Sequence, residues 1–261
     1  MLGRLKNALS GKPRAPRARV AARPTVETRL APDQPFCAIG DIHGRLDLLK
    51  PLHAKLRAEF GADIPVIFIG DIVDRGPDSA GTLRYIHDLC RDQPEANICI
   101  MGNHEQMMLD FIDDPAGRGL RWLSFGGAET LQSFGLTPPR SSPDLEDAVE
   151  LAEALEEAMP AGILTWLRTL PPLWSSGNIH CVHAAMDPES PVTEQSSRVM
   201  INGHPAFLEV PRLDDQTVLH GHTIMAEATV GDTRISIDTG AYSTGRLTAA
   251  HVAPDSCRFI T

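Results

Sequence analysis

No apolar run in this chain approaches the roughly 18–20 residues that a membrane-spanning helix needs, so no transmembrane segment is expected. Basic charge is also scarce over most of the length. The net charge of −10 splits into +7 over the first 30 residues and −17 over the rest. Phosphate backbones call for basic surfaces, so a body this acidic argues against nucleic acid as the main ligand. Paired cysteines are missing as well. The five present (Cys37, Cys90, Cys99, Cys181, Cys257) are odd in number and include no CxxC pair. Cys37, Cys99 and Cys181 fall in apolar strand-like runs, where a reduced thiol packs as a small hydrophobe. Met1-Leu2-Gly3-Arg4-Leu5-Lys6 leads into no apolar stretch of the kind a secretory signal carries, and a cytoplasmic protein is expected. Aromatic side chains are few, with two Tyr and three Trp, which leaves little material for stacking on nucleobases.

What the chain does have is a recurrence. Three apolar runs end in Gly followed by a metal-capable side chain: Ala38-Ile39-Gly40-Asp41, Phe68-Ile69-Gly70-Asp71 and Ile100-Met101-Gly102-Asn103. The last residues of these runs lie 30 and 32 positions apart, about one βαβ unit. Parallel strands joined by crossover helices bring their carboxyl ends to one edge, where α/β proteins bind ligands. Asp41, Asp71 and Asn103 should therefore converge.

The coarse organisation follows. Residues 1–33, rich in Arg, Ala and Pro, read as a basic disordered tail, with weak contact to an anionic surface or partner as the alternative. Residues 34–261 read as one domain. Strands are expected at Phe36–Asp41, Pro65–Asp71 and Asn97–Gly102, and helices at Arg45–Phe60, Ser79–Cys90 and from His104. A helical insert occupies about 117–170. Within it, Gly126-Gly127 breaks short helices, and Asp144–Ala158 forms an acidic amphipathic helix with a stripe of Leu145, Val149, Leu151 and Leu155. The insert is expected on the rim of the active edge, with closure over it as the alternative. After Ile163–Leu170 and Pro171 the pattern turns to short strands at hairpin-like spacing, read as antiparallel.

Asp41 and His43 stand at i and i+2 on a strand end and can hold one metal from two directions. Asp71 offers two carboxylate oxygens for bridging, and Asn103 a neutral oxygen. His183 and His222 follow apolar runs, where an imidazole is otherwise awkward to bury. Singly, each is better read as a cap or a hydrogen-bonded core group. Together, mixed nitrogen and oxygen donors suit a pair of first-row transition metals, which can clamp an in-line displacement at phosphorus.

The blocks Gly40-Asp41-Ile42-His43-Gly44, Gly70-Asp71-Ile72-Val73-Asp74-Arg75-Gly76 and Gly102-Asn103-His104-Glu105 resemble those of the calcineurin-like metallophosphoesterases. More narrowly they resemble the phosphoprotein phosphatase branch, which includes bacterial serine/threonine phosphatases and symmetrical diadenosine tetraphosphatases. The resemblance continues through Val182-His183-Ala184, Gly221-His222-Thr223 and Ile237-Asp238-Thr239-Gly240-Ala241. It implies an α/β fold, a four-layer α/β/β/α sandwich, with two divalent ions, Mn first and Fe, Zn or Co as alternatives. It also implies that Asp41, His43 and Asp71 hold one ion, and that Asp71, Asn103, His183 and His222 hold the other. His104 is then the general acid, Asp74 the carboxylate that orients it, and Arg75 the phosphate clamp. A metal-bridging hydroxide is the implied nucleophile.

One family feature is missing. Bacterial members carry a Trp-Ile-Arg segment downstream of the His-Ala pair, and its Arg is a second phosphate contact. Here Asn202-Gly203-His204 stands in that place, which leaves His204 or Arg198 as substitutes. The expected substrate is a phosphoprotein or phosphorylated small molecule, with serine/threonine phosphoproteins first. The alternatives are a symmetrical bis(5'-nucleosyl)-tetraphosphatase and, in a different class, a catalytically inactive metal-binding adaptor.

Overall fold

The computed structural model describes residues 29–140 and 143–261. Elements alternate through the first half: β1 (Phe36–Ile39), α1 (Leu46–Phe60), β2 (Val66–Phe68), α2 (Ser79–Asp92), β3 (Asn97–Cys99) and α3 (Asn103–Asp113). A 3-10 helix over Arg118–Phe125 leads into α4 (Gly127–Ser133), α5 (Leu145–Ala158) and α6 (Ile163–Thr169). Then come β4 (Leu173–Ser176), β5 (Ile179–Val182), α7 (Ser197–Asn202), β6 (Thr217–His220), β7 (Thr229–Gly231) and β8 (Arg234–Ser236). The chain closes with α8 (Ala241–Thr244), β9 (Ala249–Ala253) and β10 (Ser256–Ile260).

Two five-stranded sheets result, in the orders β10-β9-β1-β2-β3 and β4-β5-β6-β8-β7. Alternation along β1 shows the layering. Phe36 and Ala38 face the second sheet and pack with Ile179, Cys181, Leu219 and Ile235, while Cys37 and Ile39 face Leu49, Leu56 and Leu83 on the helices. On the far side of the second sheet, Val182 and Val218 pack under Met200 of α7 and Phe207. The layers are helix, sheet, sheet, helix, with the fourth layer thin.

Strands β1, β2 and β3 pair in parallel, as the spacing predicts, so their carboxyl ends share one edge. The second sheet corrects the antiparallel expectation. Strands β5, β6 and β8 are parallel to one another, and only β4 and β7 at the rims run antiparallel. The connection between β5 and β6 spans the α7 layer, so hairpin-like spacing of apolar runs conceals a crossover. Hairpins stand only at the second sheet's two rims, β4–β5 across Gly177-Asn178 and β7–β8, where Asp232 and Thr233 turn the chain with φ of 50° and 63°.

Two further differences concern faces and boundaries. On α5 the buried face is Ala148, Ala152 and Leu155, whereas Leu145 is 68% exposed and Val149 36%. Leu155 and the half-buried Leu151 keep their expected inward place, while small alanines let α5 lie close to its neighbours in place of Leu145 and Val149. The packed chain also begins before residue 34. Leu30 is buried, and the Ala31 N–H donates to Asn178 Oδ1 at 2.8 Å beside β5. The rest of the expected tail, residues 1–28, lies outside the described residues. Among the described residues no helix is long and apolar enough to cross a membrane. All five cysteines are free, with Cys37, Cys99 and Cys181 buried.

His53 on α1 carries a pH liability. Its Nδ1 lies 2.9 Å from Tyr85 Oη, and its Nε2 accepts from Arg57 Nε at 3.2 Å. Burial, with help from Arg57, pushes its pKa down to about 4. The unfolded chain therefore takes up this proton first as pH falls. The stabilisation is complete above about pH 6.5 and is lost toward pH 4, with a slope of up to about 1.4 kcal/mol per pH unit from this group. Denaturant unfolding at a series of pH values should show that decline, and a His53→Gln variant should make it shallower, with His220 and the other buried imidazoles supplying the remainder.

Candidate metal centre and active site

Every parallel strand of both sheets ends in a loop that delivers a chemical group to the same edge. The loop after β1 brings Asp41 and His43, that after β2 brings Asp71, Asp74 and Arg75, and α3 opens with Asn103 and His104 directly after the β3 loop. From the second sheet come His183 after β5, His222 after β6 and Asp238 after β8.

These loops are strained. Among the described residues nine non-glycines have positive φ, and five are here: His43 (46°), Asp71 (47°), Asp74 (74°), Arg75 (66°) and His222 (61°). Each costs on the order of 1–3 kcal/mol and persists only where its surroundings enforce it. Close backbone approach explains two of the glycines. A Cβ on Gly102 would sit 2.2 Å from the Asp71 nitrogen, and one on Gly126 would sit 2.7 Å from the Arg75 nitrogen.

Asp71 is the centre of the cluster. Two groups of donors include it, His43–Asp71–His104 and Asp71–His183–His222. Its Oδ2 lies 3.5 Å from His43 Nε2, and its Oδ1 lies 3.3 Å from His183 Nε2. Asn103 Oδ1 is 2.9 Å from His183 Nε2 and 2.8 Å from His222 Nδ1. Asp41 is differently occupied. Its two oxygens accept from the His222 N–H, both at 3.1 Å, and its carboxyl lies against that of Asp238. All six expected metal-ligand residues thus reach one place.

The donor set fits divalent cations. His43 Nδ1 donates to the Val73 carbonyl at 2.7 Å and His183 Nδ1 to the Ile69 carbonyl at 2.9 Å. Those bonds hold both rings by Nδ1 and turn both Nε2 atoms inward, as ligating histidines require. His183 Nε2 and His222 Nδ1 face each other at 3.2 Å, and Asn103 Oδ1 lies 2.9 Å and 2.8 Å from them, so three atoms able to ligate a cation meet there. Asp41, Asp71, Asp238 and Glu105 are buried carboxyls in the same region, and anions so placed need positive charge close by.

The electrostatics divide the imidazoles, leaving two neutral and drawing positive charge to the third. Burial pushes His43 down to about 3 and, together with His183, pushes His222 down to about 4, leaving both neutral. Burial also opposes charge on His183, but Asp71, Asp41 and Glu105 outweigh it and raise the imidazole to about 10. Asp71 is buried, yet His183, His104 and His43 hold its carboxyl well below the usual range. Asp41 moves up, through burial and its neighbour Asp238.

Beside the cluster, His104 Nδ1 meets Asp74 Oδ2 at 2.6 Å, while its Nε2 points toward Asp71 Oδ2 at 3.9 Å. Burial works against a charge on His104, but Asp71 and Asp74 outweigh it and raise its pKa. Arg75 Nη1 donates to His43 Nε2 at 2.9 Å, and its guanidinium lies 4.9 Å over the Tyr242 ring. His204 and Arg198 are not joined to the cluster by any hydrogen bond or ion pair. Arg198 is exposed on α7, and His204 Nδ1 accepts from the Ala206 N–H at 3.4 Å.

Several groups escaped the sequence reading. Glu105 accepts from the N–H groups of Asp71 (2.8 Å), Ile72 (2.8 Å), Val73 (3.1 Å) and Gly102 (3.1 Å). Trp122 Nε1 donates to Asp74 Oδ2 at 2.9 Å, and Thr130 Oγ1 to Asp74 Oδ1 at 2.7 Å. Both come from the expected insert, so that segment supplies part of the site. Asp238 and Glu105 stand inside motif blocks and carried a signal; Trp122 and Thr130 had none.

Two outcomes follow. Asp71→Asn should lower bound metal more than His222→Ala does, because Asp71 serves both donor groups; metal per chain by mass spectrometry after reloading checks this. Trp122→Phe should keep its metal but lose roughly tenfold or more in turnover, since a buried hydrogen bond to a charged group is worth about 1.5–3 kcal/mol.

Comparisons with known proteins agree with this geometry. Curated symmetrical bis(5'-nucleosyl)-tetraphosphatases from Ralstonia nicotianae and Burkholderia mallei are each 27% identical to it. The alignments cover 82% of this chain and 88% of the first relative, and 87% and 93% for the second. Among solved structures, a candidate diadenosine tetraphosphatase superposes with a TM-score of 0.60 at 20% identity, covering 87% of this chain and 93% of that one. A cold-active protein-tyrosine phosphatase from a Shewanella species gives 0.55 at 15% identity, covering 90% and 84%. The calcineurin-like phosphoesterase family profile matches residues 34–226, well over half of the chain. With its strand-end donors and His–Asp pair arranged as described, the chain belongs to the calcineurin-like phosphoesterases and is a metallophosphoesterase hydrolase.

Proposed function

We propose that this phosphoesterase cleaves dinucleoside tetraphosphates symmetrically, releasing two nucleoside diphosphates. The observation that carries this reading is the groove beside Arg75. A cavity of about 460 Å³ opens there, lined by Arg75, Tyr242, Phe125, Ser124 and Glu129 among others. Phe125 is half exposed, so an aromatic face is available beside the phosphate clamp. The scarcity of aromatics in the composition pointed toward phosphoproteins, but two of the few sit at this groove. The symmetrical tetraphosphatases among the relatives support the same substrate class. Support for a serine/threonine phosphoprotein is thinner, because the protein phosphatases among the structural neighbours, at 15–17% identity, bear on the fold alone.

The roles follow from position. Asp41, His43, Asp71, Asn103, His183 and His222 would hold two divalent ions, which when bound supply Lewis acidity for the phosphoryl oxygens and an acidified water. Arg75 offers a planar fork of donors to the non-bridging oxygens of the attacked phosphate. Water adds at an inner phosphorus, and the bond from that phosphorus to the central bridging oxygen breaks. His104 delivers the Nε2 proton to that oxygen, while Asp74 holds the opposite nitrogen and fixes the ring's direction. Water and one tetraphosphate thus give two diphosphates. An intact donor set together with His104, Asp74 and Arg75 supports an enzyme over a non-catalytic adaptor.

Chromatography of products from diadenosine tetraphosphate with the Mn²⁺-loaded protein should show ADP alone, at a higher rate than phosphate release from phosphoserine or phosphothreonine peptides. ATP plus AMP, or faster peptide turnover, would reject the reading. His104→Ala should lose about 10²–10⁴ in kcat and keep its metals.

A further inference from the structure

A second cavity of about 460 Å³ adjoins the one at Arg75 and shares Leu123, Ser124 and Ala128 with it. The two lie side by side along the 3-10 helix and the start of α4, the second being the half distal to Arg75. The distal half is lined by Leu120, Arg121, Leu123, Pro139, Arg140 and Pro143, beside Ser124 and Ala128. Among the described residues its lining contains two guanidinium groups and no carboxylate, on a chain of net charge −10. Among the described residues neither Arg121 nor Arg140 takes part in an ion pair, whereas Arg45, Arg91, Arg168, Arg212, Arg246 and Arg258 all do.

We infer that this distal half is a subsite for the second nucleoside diphosphate of the substrate, with Arg121 and Arg140 binding its phosphates. The inference rests on the dinucleotide reading and extends it to particular residues. The cluster and Arg75 engage the phosphate under attack, and the far half of a dinucleoside chain must extend away from them over the surface. The distal groove lies one shared wall away. Guanidiniums pair two phosphate oxygens at once, and the leucine and proline walls cover the flat face of a base or sugar without demanding a particular base. This also answers the missing downstream arginine. Positive charge for the second phosphate contact comes from the insert rather than from the segment around Arg198 and His204.

The test compares the Mn²⁺-loaded full-length protein with an Arg121→Gln/Arg140→Gln variant. Calorimetry with ADP and with inorganic phosphate, and turnover of diadenosine tetraphosphate and p-nitrophenyl phosphate, are measured on both. ADP affinity should fall about tenfold or more in the variant while inorganic phosphate affinity and p-nitrophenyl phosphate turnover hold. KM for the dinucleotide should rise by a similar factor with kcat little changed. Unchanged ADP affinity, no ADP binding by the parent protein, or an equal loss for ADP and phosphate each overturns the subsite. If the parent turns over p-nitrophenyl phosphate but not the dinucleotide, and the variant still loses ADP affinity, the tetraphosphatase reading falls and the nucleotide subsite stands.

Discussion

The fully buried carboxylate of Glu105 accepts four backbone N–H bonds, three from the loop at Asp71–Val73 and one from Gly102 at the start of its own helix. That single group ties the turn after β2 to the turn after β3. The tie matters because Asp71, Asp74 and Arg75 occupy left-handed backbone conformations that they would not adopt in isolation. Burial and nearby Asp71 push the Glu105 pKa up to about 7, so the tie is made at an electrostatic cost. The four donors and the surrounding imidazoles offset that cost.

Around this tie, the backbone itself aims the ligands. The carbonyls of Val73 and Ile69 belong to the β2 strand end and the turn after it, and they hold the rings of His43 and His183 by Nδ1. One short stretch of chain therefore carries Asp71, orients two histidines and presents Arg75. Rigid sheet edges with locked side chains hold such a site more closely than free loops do.

The legible parts of the molecule were those encoded locally. A strand, a glycine and a donor recur within a few residues of each other, so Asp41, Asp71 and Asn103 could be placed on one edge from spacing alone. The break at Gly126-Gly127 was also legible, because it is a property of two adjacent residues. What escaped depends on separation. Pairing within the second sheet is decided between strands tens of residues apart, and apolar runs look alike in parallel and antiparallel ladders. On α5 the stripe is half legible: Leu151 and Leu155 face inward, but alanines take the places that size alone gives to Leu145 and Val149. Trp122 and Thr130 reach Asp74 across 48 and 56 residues, from a segment whose composition says only that it is helical.

Those last two contacts bear on how the protein could diverge. The segment between α3 and β4 shapes the groove through Arg121, Ser124 and Phe125, and it also grips Asp74, the carboxylate bonded to His104. It is not an exchangeable cassette. A duplication that swapped this stretch to suit a new ligand would strip Asp74 of its indole and hydroxyl partners in the same event. The groove and the Asp74–His104 pair therefore share one stretch of chain, and a change to the first reaches the second through Trp122 and Thr130.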